Sequence, residues 1–191
     1  AFGVTLSNWD DSFMQLGTSG PRVFDTSTPQ INVLAGGQVD GPNLGIRDQD
    51  GDAYFMQRFA LRTHSGFDQA SAMRFSLEHQ NPFVTGWVGG TGDLTRPYPA
   101  LNYSFLQISD PNVLLWALKP AEDGIDRGVA VRVWNQAVTP LPYSLTLARP
   151  VTTADRVTHI ETAIAPANVS GGRLNAVVNQ QQIQTHLLKT Q

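Results

Sequence analysis

The chain has 191 residues, of which 41% are apolar and 15% charged, the latter well under the roughly 25% of an average soluble domain. Apolar residues are too many for global disorder, and no apolar run approaches the roughly 18 residues of a membrane-spanning helix. The 13 basic and 16 acidic residues leave a net charge of −3 with the basics scattered, which argues against a nucleic-acid partner, and the lack of Cys excludes disulfides and thiolate metal sites.

Period-two alternation and short apolar runs, bounded by Gly, Pro, Asn and Asp, predict strands along most of the chain. In the first half these are Val4–Leu6, Phe13–Leu16, Gln30–Leu34 and Ala53–Thr63. The stretch from Asp68 to Glu78 differs, because Val, Ile and Thr disappear and helix formers take their place. One short helix is expected near 68–80, capped by Ser65 or Asp68 and stopped by Pro82, although alternation at Ala72, Arg74, Ser76 and Glu78 also suits a strand. Three glycines and two prolines between Gly89 and Pro99 mark a boundary. They suggest a first β unit at 1–92, a linker at 93–99 and a second β unit at 100–191.

Beyond the boundary, strands are expected at Ser104–Ile108, Asn112–Leu118, Gly128–Asn135, Tyr143–Ala148, Arg156–Glu161, Arg173–Val178 and Gln182–Leu188. Val129, Val131 and Val133 share one face while Arg132 points the other way, the pattern of a half-buried antiparallel strand. Turn signals about every 10 residues complete the prediction: an all-β, mainly antiparallel β-sandwich. The opening Ala1-Phe-Gly-Val reads neither as a signal peptide nor as a natural start, so an excised piece of a longer protein is expected.

Motifs for chemistry are few. Asp48-Gln-Asp-Gly-Asp52 lacks the Gly and Glu positions of an EF-hand loop and reads as a turn. His64, His79, His159 and His186 lie far apart without zinc-site spacing, which points to structural or surface roles. No Gly-x-Ser-x-Gly elbow or phosphate-cradling glycine loop occurs. Glu122 and Asp123, adjacent carboxylates, read as part of a hairpin connection, and nothing organises His64, Glu78 and Asp50 into a site. Trp9, Trp87, Trp116 and Trp134 could stack on sugar rings, with core or inter-domain packing as the plainer reading. No catalytic, cofactor-binding or metal-binding residue is assigned. The candidates for sugar or inter-domain contact are Trp9, Trp87, Trp134 and His64.

Taken together, Asn112-Val-Leu-Leu-Trp-Ala-Leu-Lys-Pro-Ala-Glu-Asp-Gly124 and Gly128-Val-Ala-Val-Arg-Val-Trp-Asn135 resemble a C-terminal signature of glycoside hydrolase family 38, the α-mannosidases. Tyr103-Ser-Phe-Leu106 and Gln182-Ile-Gln-Thr-His-Leu-Leu188 fit the same pattern. Upstream, Phe59-Ala-Leu-Arg-Thr-His64 looks like the family's aromatic-Ala-Leu-x-Pro-His segment with Thr63 in place of Pro. Glu78-His-Gln-Asn-Pro82 resembles the segment that follows it, and Gly3-Val-Thr-Leu-Ser-Asn8 suits the late part of the family's central β-domain. The resemblance implies a galactose-mutarotase-like β-supersandwich at 1–92 and a C-terminal β-sandwich at 100–191. It further implies a non-catalytic role beside an N-terminal catalytic domain that supplies the zinc ligands and the Asp nucleophile, neither of which has a counterpart here. The implied partners are that catalytic domain and mannose-containing glycans, with no cofactor in this chain and zinc in the missing domain. A cytoplasmic location is expected from the absent signal peptide and absent Cys.

Overall fold

The computed structural model describes residues 2–10, 14–20, 22–25, 27, 30–33, 56–86 and 102–191. Trp87, Asp48–Asp52 and the expected linker at 93–99 lie outside the described residues. The chain divides into two units, one of residues 1–67 and 75–83 and one of residues 68–74 and 84–191.

In the first unit, β1 (Gly3–Asn8) pairs antiparallel with β4 (Phe59–His64), in register from Gly3 opposite His64 to Asn8 opposite Phe59. A short hairpin of β2 (Met14–Leu16) and β3 (Ile31–Val33) precedes β4. Alternation sends Ser7 and Arg62 to one face of the β1–β4 pair, while Val4 and Leu61 stand 60% and 67% exposed on the other. Helix α1 spans Gln69–Gln80, close to the expected bounds. Asp68 is its cap, accepting the Ser71 amide on its side-chain oxygen, and Pro82 ends it one residue after Asn81 donates back to the Leu77 carbonyl. Residues 75–80 of the helix belong to the first unit, where Phe75 lies under the Arg62 guanidinium at 4.9 Å. Among the described residues no helix is long and apolar enough to cross a membrane.

The second unit is a two-layer antiparallel β-sandwich. One sheet has five strands: β6 (Val113–Pro120), β7 (Val129–Asn135), β13 (Ile183–Thr190), β9 (Val151–Val157) and β10 (Ala163–Pro166), in that spatial order. The other has four: β5 (Leu106–Ile108), β8 (Leu141–Leu147), β12 (Arg173–Val178) and β11 (Asn168–Ser170). Val131, Val133 and Leu188 from the first sheet meet Leu145, Leu174 and Val178 from the second, all with no exposed surface. Each such side chain contributes about 1.5–3 kcal/mol by leaving water, so this layer dominates the stability of the unit. A second apolar cluster, Ala121, Ala130, Val157 and Leu187, lies on the outer face of the five-stranded sheet.

The all-β expectation describes this fold, and most predicted strands lie within two or three residues of their positions. Four segments differ. The predicted strand at Arg156–Glu161 is instead the end of β9 followed by a turn in which the Thr158 amide donates to the Thr162 carbonyl. Strands β10 and β11 were not anticipated. Within the described part of Ala53–Thr63, only residues from Phe59 onward are strand.

Candidate functional site

Trp9 follows β1 directly, and its amide continues the ladder by donating to the Arg58 carbonyl at 3.1 Å. That pairing brings the Arg58 guanidinium over the indole at 4.4 Å, while Asp10 accepts Arg58 Nε at 3.0 Å and Nη2 at 2.7 Å. The bidentate pair holds the Asp10 carboxyl below its ordinary range and raises the Arg58 guanidinium. His79 meets the Trp9 edge at 5.6 Å and 82°, and its Nδ1 lies 2.9 Å from Ser7 Oγ. Trp9 is thus enclosed by a cation, an imidazole edge and its own strand. This arrangement fastens the helix end to the sheet, with the guanidinium over the indole ring and the imidazole against its edge.

His64 occupies the opposite end of the same strand pair, so the structure keeps it apart from Trp9. Six residues of β-strand separate the two ends, roughly 17–20 Å. Its ring sits over Gly3, where any Cβ would collide with the imidazole, and it meets Phe67 at 6.2 Å. His64 Nδ1 is buried without a hydrogen-bond partner among the described residues. Glu78 does not join it, and the Asp50 of the same suggestion lies outside the described residues.

In the second unit, Trp134 sits on β7 opposite Leu114 of β6, on the outer face of the five-stranded sheet. A bulge between Leu115 and Ala117 turns Trp116 out of the ladder, and the two indoles meet edge to face at 5.2 Å and 86°. The bulge leaves Trp116 44% exposed, outside the core of this unit; of the two expected alternatives, core or inter-domain packing, this leaves the second open. Arg132, further along the same face, donates from Nε to Thr185 Oγ1 at 3.1 Å and from Nη2 to the His159 carbonyl at 2.9 Å. The face can therefore offer an aromatic surface.

Glu122 and Asp123 are held in the β6–β7 connection as expected of a hairpin, Glu122 by Lys119 at 2.6 Å and Asp123 by Arg127. Sequence reasoning missed Glu161, which is buried at 3% exposure in a left-handed backbone conformation. Its carboxylate accepts Lys119 Nζ at 2.6 Å and the Glu122 amide at 2.8 Å, which hold it below the usual carboxylate range. The two hydrogen-bonded carboxylates, Glu122 first, raise the Lys119 ammonium in turn. Nothing local in the sequence signals this knot, since its two halves are about forty residues apart. It ties the turn after β9 to the hairpin and is structural.

Among the four histidines, His186 is the most buried, at 2% exposure inside the sandwich. Its Nε2 lies 3.0 Å from Gln184 Oε1, also an inward position. Burial lowers its imidazole to about 4, with the Arg156 charge adding to the effect. Among the described residues no group of three or more His, Cys, Asp or Glu side chains could hold a metal. No model of a known protein family and no curated protein matches the chain.

Proposed function

We propose that this chain is a non-catalytic C-terminal β part of an α-mannosidase of the glycoside hydrolase family 38 type, where it helps to wall the cleft of the catalytic domain and stabilises it. One observation supports this reading above the others. The most specific part of the resemblance, Asn112–Gly124 with Gly128–Asn135, and the fitting stretch Gln182–Leu188 contribute β6, β7 and β13, which are three neighbouring strands of one sheet. The edge strand among them, β6, presents Leu115, Trp116 and Leu118 at 37%, 44% and 37% exposure, apolar surface of the kind that a partner domain covers. On this reading zinc and the nucleophile belong to the catalytic domain, and no step of glycoside hydrolysis is assigned to residues of this chain.

A carbohydrate-binding module is the second reading, favoured by the half-exposed Trp116 held against Trp134. Calorimetric titration of the chain with a mannose trisaccharide separates the two. The first reading expects no saturable heat; saturable binding that disappears in Trp134→Ala supports the module instead.

A further inference from the structure

Strands β9 and β13 separate at one end of their ladder. Their last pair there is Val157 with Thr185; β9 then turns away, while β13 extends to Ile183 beside Trp134 of β7. The gap left between them is a pocket of about 240 Å³, lined by Arg156, Thr158, Ile164, Gln182, Gln184 and Thr185 among others. It is smaller than the roughly 300–1,000 Å³ of drug-sized sites, so it suits a compact group.

The hydrogen bonding around this gap is one-sided. Gln184 Oε1 is met by His186 Nε2 at 3.0 Å and Gln182 Oε1 by the Asn179 amide at 3.1 Å. Thr185 Oγ1 accepts Arg132 Nε at 3.1 Å, and Thr158 Oγ1 accepts the Thr162 amide at 3.0 Å. Each side-chain acceptor is thus used within the chain, whereas the two amide nitrogens and the two hydroxyl protons have no acceptor among the described residues. Gln184 and Thr185 are only 7% and 3% exposed, and buried donors normally have a partner. The charge is one-sided as well. Arg156 stands opposite His186 in the ladder, and Arg132 reaches the gap through Thr185 and the His159 carbonyl. Neither guanidinium has a carboxylate partner among the described residues. Asp155 is turned to the other face opposite Leu187, and the Glu161 carboxylate is taken by Lys119.

We infer that this gap binds a tetrahedral oxyanion, the phosphate or sulfate group of a small molecule, with Arg156 on its charge and the Gln182, Gln184, Thr158 and Thr185 donors around it. A phosphate group offers three strong acceptor oxygens to donors from two strands and a turn, and an arginine fork engages two of them at once; a carboxylate has two oxygens in all.

NMR of the side-chain amide and guanidinium signals tests this, with the full chain titrated with inorganic phosphate, sulfate and acetate against sodium chloride of equal ionic strength. Phosphate or sulfate is expected to shift the Gln184 amide and Arg156 Nε–H signals saturably, with acetate at least about ten-fold weaker. The tighter of the two tetrahedral ions names the group. Arg156→Gln should weaken that ion at least about ten-fold, whereas Arg149→Gln, at a residue that does not line the gap, should leave it unchanged. Absence of saturable shifts with both phosphate and sulfate overturns the inference. So does acetate binding as tightly as the tetrahedral ions, or undiminished binding by Arg156→Gln. The comparison among ions needs no variant, so it stands even if a substitution disturbs the fold.

Discussion

Tyr143 of β8 and His186 of β13 face each other across the interior of the sandwich, their ring centroids 6.4 Å apart at 67°. Both are core residues by position, and each keeps one polar atom, Tyr143 Oη and His186 Nδ1, buried without a partner among the described residues. A polar pair therefore sits where Val131, Leu145 and Leu188 would otherwise set an all-apolar layer. This pair makes the stability of the second unit sensitive to acid.

The sign of the acid effect follows from the direction of the shift. His186 titrates near 4 in the folded chain and near 6.5 when unfolded, so between these values the unfolded chain binds more protons. The stability contribution is complete above pH 6.5 and is lost as pH falls from there through 4. A shift of this size corresponds to about 3 kcal/mol. Urea unfolding of the chain at pH 7.5, 6, 5 and 4 should show that decline, and His186→Phe should flatten the part due to this residue.

Tyr143 gives the complementary case. Burial raises its phenol above the ordinary value of about 10, so it stays neutral across the working range. A buried hydroxyl without a partner adds desolvation cost and little else. Tyr143→Phe is expected to leave stability unchanged within about 0.5 kcal/mol or to raise it, whereas Tyr143→Ala should cost roughly 3–5 kcal/mol through the cavity. Chemical denaturation of the two variants reads the contrast directly. A loss above 1 kcal/mol in Tyr143→Phe would mean that the hydroxyl has a partner after all.

Asn135 ends β7 fully buried, with its side chain serving as a clasp. Its amide donates to the Thr139 carbonyl at 2.8 Å and the Asn179 carbonyl at 2.9 Å, and its Oδ1 accepts the Ala137 amide at 2.8 Å. Removing it strands several backbone groups at once. Asn135→Ala should cost about 2–4 kcal/mol, seen as a lower unfolding midpoint with an unchanged denaturant slope.

Gly128 enters β7 at φ 127°, where an added Cβ would collide with the Leu188 carbonyl. Both the backbone angle and the clash oppose any side chain. Gly128→Ala is expected to lose about 3 kcal/mol or more, or to leave the chain insoluble. By contrast, Gly124 has open space around it despite φ 103°, so Gly124→Ala should show backbone strain alone.

Much of this architecture is readable from the sequence because the strong strands carry their own periodicity. Val129, Val131 and Val133 alternate inward, and the same parity puts Gln184, His186 and Leu188 on the inner side of β13. Strand β9 hides from that rule. Its buried residues Val151, Ala154 and Val157 recur every third position, because Val157 turns to the outer cluster and an irregularity opposite Lys189 and Thr190 resets the parity before Val151. Asp155 and Arg156 inside the strand complete the disguise. Strand β10 is an edge strand exposed at all four positions, with no apolar face to announce it. The tryptophans are visible as residues, but their environments depend on a bulge at Trp116 and on a guanidinium from fifty residues away at Trp9. Such long-range partners leave no local mark.

The most direct test of the proposed non-catalytic role is hydrolysis of an aryl α-mannoside by the purified chain with zinc or cobalt added. The account predicts no turnover above the metal-only control with either metal. Saturable, metal-dependent release of the aryl group by this chain would contradict it, and would locate a complete hydrolytic site within these 191 residues.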